Sequence, residues 1–482
     1  MKMFFLALSV AVSANASLGI YSISPQLGTV VHRGDLVTYM FVPFVNDVDE
    51  TNVVVEFTGA PLIESISGDR FSCSGARCTR SLFQKNTVGS ITLSVRMPSS
   101  LAGGHVNVIG TISAASGSTA TWRSDVIIPK TFVVSNSLAD AITQANAACI
   151  DNHPCTIELP FSGTISEALP PITAKKLTMD GHKGIVLDGT GLVVKGSADI
   201  TISGFTIQNF EGPGLLLLLD SHTSLRSTIN DNVFTGNLRG VMSYGSSFMY
   251  LHDNVISNNR YSGVWIFSGY YPAVYKNTIE GNGASGVFFG PGCQFGMADE
   301  NQITSNRDFG VAVDPTSKWI EVRGNSMKHN GQLGIDYGLD LVTPNVPDDS
   351  ARSAPNAPVL TSAIYDPVTN KTTISGHVDL NKPADVGFFA PLIDVYVSRE
   401  LDAHGMAQGE TPLYENLDYN LPVSLDRSTG TFTYIYSGDL TGQYISATYS
   451  RMYALGKGGP ALQYYENWQA TSEFSNPVRV ER

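Results

Sequence analysis

Two sets of side chains in this 482-residue chain have types and spacings suited to acting on a ligand. The first is aromatic. Tyr244 and Phe267 are 23 residues apart, as are Trp265 and Phe288, with Tyr270 and Tyr271 close by. Large rings grouped on a solvent face are unusual and offer stacking platforms for the C–H faces of sugars. The second set is acidic. Asp314 and Asp336 are 22 residues apart and could supply the two carboxylates that glycoside hydrolysis needs, although acidic residues at chain turns are usually just solvated. A third pairing, His252 with Asp253, could serve a metal or a proton transfer. It lies in a stripe of mixed charge (Asp231, Asp253, Lys276 and Glu300, flanked by Tyr275, Asp299 and Arg323) that reads most simply as a solvated face with local ion pairs.

An internal repeat puts these residues in phase. Asn232, Asn254, Asn277, Asn301 and Asn325 follow one another at intervals of 22, 23, 24 and 24, and each has a second Asn five residues on, at 237, 259, 282, 306 and 330. Each copy continues to a Gly followed by Val or Ile, at Val241, Val264, Val287, Val311 and Ile335. Such a period accommodates three short strands and three turns, each coil pairing with the next at about 4.8 Å. Apolar residues of one phase (Phe234, Ile256, Ile279, Ile303, Met327) and of another (Ile229, Leu251, Val274, Ala298, Val322) stack inside. An inward Asn at a turn bonds backbone and its equivalent one coil away, satisfying groups otherwise buried unpaired. The Gly before each Val relieves the backbone at another corner.

Strand alternation then sorts the candidates. If the Val or Ile after Gly points inward, Met242, Trp265, Phe288, Ala312 and Asp336 form one outward row, and Tyr244, Phe267, Gly290, Asp314 and Gly338 a second. The rings are therefore either a ligand-binding face or a surface covered by a neighbouring loop or domain. Before the repeat, Leu138, Ala141, Ile142, Ala145 and Ala148 share one helical face, a short amphipathic helix suited to closing the end of a strand stack.

The opening coils, Ile172 to Gly181 and Val186 to Gly189, together with the Asn repeat, resemble the pectin-lyase-like superfamily. That resemblance implies a right-handed parallel β-helix and activity on polysaccharides. The superfamily's hydrolase motifs (Asn-Thr-Asp, paired Asp, Gly-His-Gly, Arg-Ile-Lys) are missing from the coil, and Asp348-Asp349 falls in a proline-rich segment beyond it. Asp314-Pro315 continues with Thr316 instead of the His-Asp of alginate epimerases. No family catalytic residue carries over. The segment from 17 to 132 alternates apolar and polar positions and, around Cys73, Cys78 and Gly89 to Leu93, resembles an immunoglobulin-like repeat module of bacterial surface proteins. The segment after 346 resembles a C-terminal β-module that follows β-helices in such proteins, most closely at its Thr-Ser-Glu-Phe-Ser, 471 to 475. The expected fold is all-β: a right-handed parallel β-helix over 133–345 with an N-terminal helix cap, between an immunoglobulin-like β-sandwich at 17–132 and a linker with a C-terminal β-sandwich at 346–482.

Composition and ends narrow the function. A net charge of −13 disfavours nucleic acid or an anionic membrane as partner. Lys2, the apolar run Met3 to Val12 and Ala14-Asn15-Ala16 read as an export signal over 1–16. The run is shorter than the roughly 20 residues that span a bilayer. No membrane span is expected in the mature chain, which is placed at the cell surface, in the periplasm or in the medium. In an oxidising compartment Cys73 with Cys78, and Cys149 with Cys155, are spaced to close local disulfides, leaving Cys293 as a buried thiol. No cofactor or metal site is expected. The sequence thus predicts an exported protein that binds extracellular carbohydrate or another surface ligand. A polysaccharide lyase or glycoside hydrolase is the first alternative, and a structural or adhesive envelope component the second.

Overall fold

The computed structural model describes residues 18–482 apart from 27, 100–102, 152, 197–198, 219–225, 348–353, 381–391, 414–422 and 455–466. The export signal at 1–16, His222 and Asp348-Asp349 lie outside the described residues. The chain divides into two compact units, one built from residues 1–131 with 151–156, the other from 132–150 with 157–482. No helix among the described residues is long and apolar enough to cross a membrane.

The first unit is a β-sandwich. One sheet runs Leu18–Ser24, Leu36–Val45, Ile91–Arg96, Ile63–Gly68; the other runs Thr29–Val30, Thr119–Ile128, Gly104–Ser113, Glu50–Thr58, Arg77–Phe83, Ser72–Ser74. Alternate residues of both sheets (Tyr39, Phe41, Val53, Val55, Leu93, Val108, Val126) meet in one core, the pattern expected of packed antiparallel sheets. Cys73 and Cys78 pair directly across adjacent strands and are joined by a disulfide. Cys149 and Cys155 are also disulfide-bonded.

The second unit begins with the helix Leu138–Ala148, whose Leu138, Ala141, Ile142 and Ala145 are buried. Ser137 caps it by accepting a hydrogen bond from the Asp140 N–H, and Glu167 accepts two more first-turn N–H groups, those of Leu138 and Ala139. Three stacks of parallel strands follow. The first stack ascends through Ser227–Asn230, Met249–His252, Ala273–Tyr275, Met297–Asp299 and Glu321–Arg323. The second is Val233–Thr235, Val255–Ser257, Thr278–Glu280, Gln302–Thr304 and Ser326–Lys328. The third runs from Leu192–Lys195 and Pro213–Leu218 through Arg239–Tyr244, Val264–Phe267, Val287–Phe289 and Val311–Val313 to Ile335–Tyr337. Every apolar position assigned inward is buried, from Ile229 and Phe234 to Val322 and Ile335.

Two asparagine ladders run up the corners. At each rung of Asn232, Asn254, Asn277 and Asn301, the backbone N–H and the side-chain amide both donate to the Oδ1 of the Asn one coil on, at 2.9–3.1 Å. The same amide also reaches a carbonyl of the preceding coil, as from Asn277 to Leu251 at 2.8 Å. The second ladder, from Asn237 to Asn330, repeats the scheme. The glycines before each inward Val serve close approach and not a special φ. A Cβ on Gly240 would lie 2.4 Å from Ile256 Cγ2 and 2.6 Å from the Gly263 carbonyl oxygen of the next coil.

A C-terminal β-sandwich meets the last coil within the same unit. Its sheets are Val359–Asp366, Lys371–His377, Thr431–Ser437, Val423–Leu425 and Thr411–Pro412, Leu392–Ser398, Tyr444–Ala454, Asn467–Thr471. Gln408 extends the second ladder: its Oε1 accepts from the Asn330 N–H at 3.0 Å, as another coil's Asn would. The Thr-Ser-Glu-Phe-Ser segment lies along this seam. Thr471 N–H donates to the Ile320 carbonyl, Thr471 Oγ1 accepts from Val322 N–H, and Glu473 accepts from Tyr337 and Thr343 N–H.

Between coil and sandwich, Arg323 is 2% exposed and makes a bidentate pair with Asp394 at 2.7 and 2.8 Å. The solvated face expected for the charged stripe therefore does not extend to Asp299 and Arg323, because Asp394, 71 residues downstream, closes over them. Removing one partner of a buried pair strands the other charge. Arg323→Leu is expected to cost about 3–5 kcal/mol, and adding Asp394→Leu to recover most of it, as read by denaturant midpoints.

Asp299 and Glu321 share this seam with Asp394 around the one guanidinium. Burial raises Asp299 well above its usual range and raises Glu321 from 4.5 to about 7. The folded state thus keeps a proton that the unfolded chain releases near the ordinary carboxylate range. Glu321 stabilises most at low pH, and that contribution falls as pH rises from about 4.5 to about 7, then levels off. Unfolding free energies across that range should show wild type losing ground against Glu321→Gln as pH rises.

Candidate functional site

The third stack presents the aromatic residues. Register places Met242, Trp265, Phe288, Ala312 and Asp336 opposite one another on successive coils. Tyr244 and Phe267 pair likewise in a second column. Tyr244 is 45% exposed, and Trp265, Phe267 and Phe288 are half-buried. The columns are true stacks. Tyr244 and Phe267 have centroids 4.4 Å apart at 15°, and Trp265 and Phe288 lie 5.8 Å apart at 29°. Ring faces are therefore turned toward neighbouring coils, along the coil axis, and a ligand lying on this surface meets mainly ring edges. Aromatic edges carry the positive part of the ring quadrupole, which suits the oxygen atoms of hydroxyl groups.

Trp265 is the most constrained of the four. The guanidinium of Arg239 sits 4.0 Å from its ring centroid and 5.1 Å from that of Tyr261. Its indole leans toward the next coil, where Gly290 leaves room: a Cβ there would be 2.7 Å from Trp265 Nε1. That Nε1 is buried and has no hydrogen-bond partner among the described residues.

The two aspartates have different surroundings. Asp314 accepts from the backbone N–H and the hydroxyl of Thr316, a turn-closing role. Asp336 occupies the outward row as expected, but the loop after it folds back over the carboxylate, whose oxygens accept from Leu339 and Leu341 N–H. It is fully buried, and burial raises its pKa. Asp336, Asp340 and Glu473 carboxylates come within 4.8 Å of one another beside a cavity of about 300 Å³ lined also by Tyr337, Thr343 and Asn356. Glu473 is raised to about 7, chiefly by burial, and both its oxygens are engaged by Tyr337 and Thr343, so it fastens the chain that leaves the coil.

Elsewhere the charged stripe pairs locally: Lys183 with Asp231, His252 with Asp253 at 2.7 Å, Lys276 with Glu300. The His252 ring stacks on Tyr275 at 4.8 Å. Cys293 is buried, and its thiol is pushed up to about 12 by desolvation, which leaves it inert. The sequence reading passed over one feature, a corner ladder of Phe248, Tyr271, Phe295 and Trp319, stacked at 4.9, 5.0 and 4.6 Å. All four have φ of +55 to +57°, a left-handed conformation costly for bulky residues. Their common phase, at intervals of 23, 24 and 24, was the available signal. Tyr270 meets Tyr271 and Phe295 edge-on at the same corner.

Comparison with known proteins agrees with the architecture. Residues 190–343 match the family described as the right handed beta helix region. The protein is a right-handed parallel β-helix protein with additional β-sandwiches. No curated protein matches the chain. Among solved structures, a family 123 glycoside hydrolase from Clostridium perfringens aligns at 13% identity over 28% of this chain and 32% of its own, with a TM-score of 0.18. The chain thus spans about a third of that protein. The catalytic domain of a GH87 alpha-1,3-glucanase, solved with tetrasaccharides, aligns at 13% over 69% of this chain and 74% of its own, TM-score 0.28. The Dettilon tailspike protein aligns at 13% over 66% and 85%, TM-score 0.24. Likenesses this distant carry no argument about chemistry.

The close approach of Gly290 to the indole is open to test. Gly290→Ala should displace Trp265 and shift its emission to the red, isolated by subtracting the same measurement in a Trp265→Phe background. Unchanged emission would show that the indole is not held over Gly290.

Proposed function

We propose that this is an exported protein that binds carbohydrate along the outer face of the third strand stack, between Arg239 and Gly290. The observation that carries the reading is the pair of ring columns, Tyr244–Phe267 and Trp265–Phe288, partly open to solvent on consecutive coils. Rings on paired strands repeat every coil, about 4.8 Å, so they form a rigid strip along which an extended chain of sugars can lie. Rigid aromatic strips lose little conformational entropy on binding. Export agrees with two disulfides, which persist in oxidising compartments. Binding without hydrolysis is favoured because Asp336 is committed to backbone N–H groups and Asp314 to Thr316.

Titration against neutral and acidic glycans tests the reading. Trp265→Ala with Phe288→Ala, and separately Tyr244→Ala with Phe267→Ala, should each weaken binding at least about tenfold, equivalent to about 1.4 kcal/mol, with the melting temperature measured alongside. Equal affinity in both double variants would remove this face from consideration. Release of reducing or unsaturated sugar ends by the wild type would replace binding with catalysis.

A further inference from the structure

The strip contains a charge that the protein does not answer. Arg239 is half-buried, its Nε is buried without a hydrogen-bond partner, and no carboxylate pairs with it among the described residues. Several other cations on the β-helix have carboxylate partners. Arg260 is bidentate to Glu211, and Arg323 to Asp394. Lys183 and Lys276 have their own acids. Arg239 has only the faces of Trp265 and Tyr261. Burial accordingly lowers its pKa. In a chain of net charge −13, leaving a partly desolvated guanidinium without an acid is conspicuous.

Stacking on rings fixes the plane of a guanidinium while leaving its N–H fork free for a planar or tetrahedral oxyanion. The surroundings point the same way, since the adjoining ring columns present their electropositive edges. We propose that Arg239 recognises an anionic substituent, a carboxylate or a sulfate, on the sugar bound beside Trp265. The inference rests on the carbohydrate-binding reading above and narrows its ligand class. Arg239 acts here as a specificity determinant, with Trp265 and Tyr261 holding the fork in position.

The test uses the full chain and three matched tetrasaccharides: a neutral glucan, the same backbone oxidised to carboxylate at C6, and the same backbone sulfated at O6. Calorimetric titration should show tighter binding of one or both anionic forms, weakening with added salt, and the comparison between them identifies the group. Arg239→Gln should lose roughly 10- to 100-fold on the preferred anionic form and distinctly less on the neutral form, so that the preference between them collapses. Arg239→Lys, which keeps charge but not the planar fork, should fall between. If wild type binds the neutral form as well as the anionic ones, or if Arg239→Gln leaves the preference intact, the proposal is overturned while glycan binding stands. If none of the three nor any wider glycan panel binds, the carbohydrate reading fails and this one with it. The preference and salt dependence of the wild type need no variant, so a poorly folded Arg239→Gln would not shield the proposal.

Discussion

The buried asparagine amide is the interaction on which the β-helix depends. At two of its corners each coil leaves backbone groups facing an apolar interior. An unpaired buried donor costs about 1–3 kcal/mol, so a repeat of this kind requires a side chain that both donates and accepts at short range. Asn does both: its Oδ1 takes an N–H of the preceding coil while its amide reaches a carbonyl of that coil and the Oδ1 of the Asn one coil on, as Asn282 does with Asn259, Ile256 and Asn306. The bond links coil to coil, so the cost of a missing rung is shared by its neighbours. This explains why the Asn phase is strict while the outward positions vary from Met242 to Asp336.

A ladder must also stop. At its far end Asn330 has no further coil to supply an oxygen, and Gln408 of the C-terminal sandwich supplies one. A longer side chain serves because it reaches in from a separate module. Around it, Thr471, Glu473 and the Arg323–Asp394 pair fasten the same sandwich to the last coil. Closing the stack thus uses polar groups where a stacked β-core would otherwise expose strand edges, the liability that solenoids cap in general. The clustered acids at this seam make the closure sensitive to pH, since Glu321 and Glu473 both titrate near 7.

How much of this the sequence disclosed depended on the range of each interaction. The coil was legible because its determinants repeat locally: Asn232 predicts Asn254, and the inward phase of Ile229 predicts Leu251. The alternation after each Gly also placed Trp265 and Phe288 in one outward column. Arg323 was misplaced on a solvated face because its partner lies in another module, and no local pattern announces Asp394. Asp336 was assigned outward, and register agrees, but the loop that folds over it through Leu339 and Leu341 follows a turn, where alternation no longer applies. The corner stack from Phe248 to Trp319 went unseen because its residues sit at turns with positive φ, where bulky rings are not expected. Arg239 was invisible for a different reason: a residue becomes informative by lacking a partner only once every potential partner has a position.

The interior and the outer face are connected by this arithmetic of satisfaction. Because the ladders and the sandwich meet the polar demands of the coil from within, the outward side chains of the third stack are released from structural duty. They can hold groups that would destabilise an ordinary surface, including stacked rings open to solvent and the orphan nitrogens of Arg239 and Trp265. Among the described residues of the β-helix, Ser227, Arg239 and Trp265 carry orphan polar atoms, and the last two lie against one another, 4.0 Å from guanidinium to ring centroid. Their coincidence on the same strip as the aromatic columns is the ground for proposing a ligand-binding surface there, since scattered exposed apolar residues need no explanation. The scaffold tolerates this local deficit because its stability resides elsewhere, in rungs that the outer face does not touch.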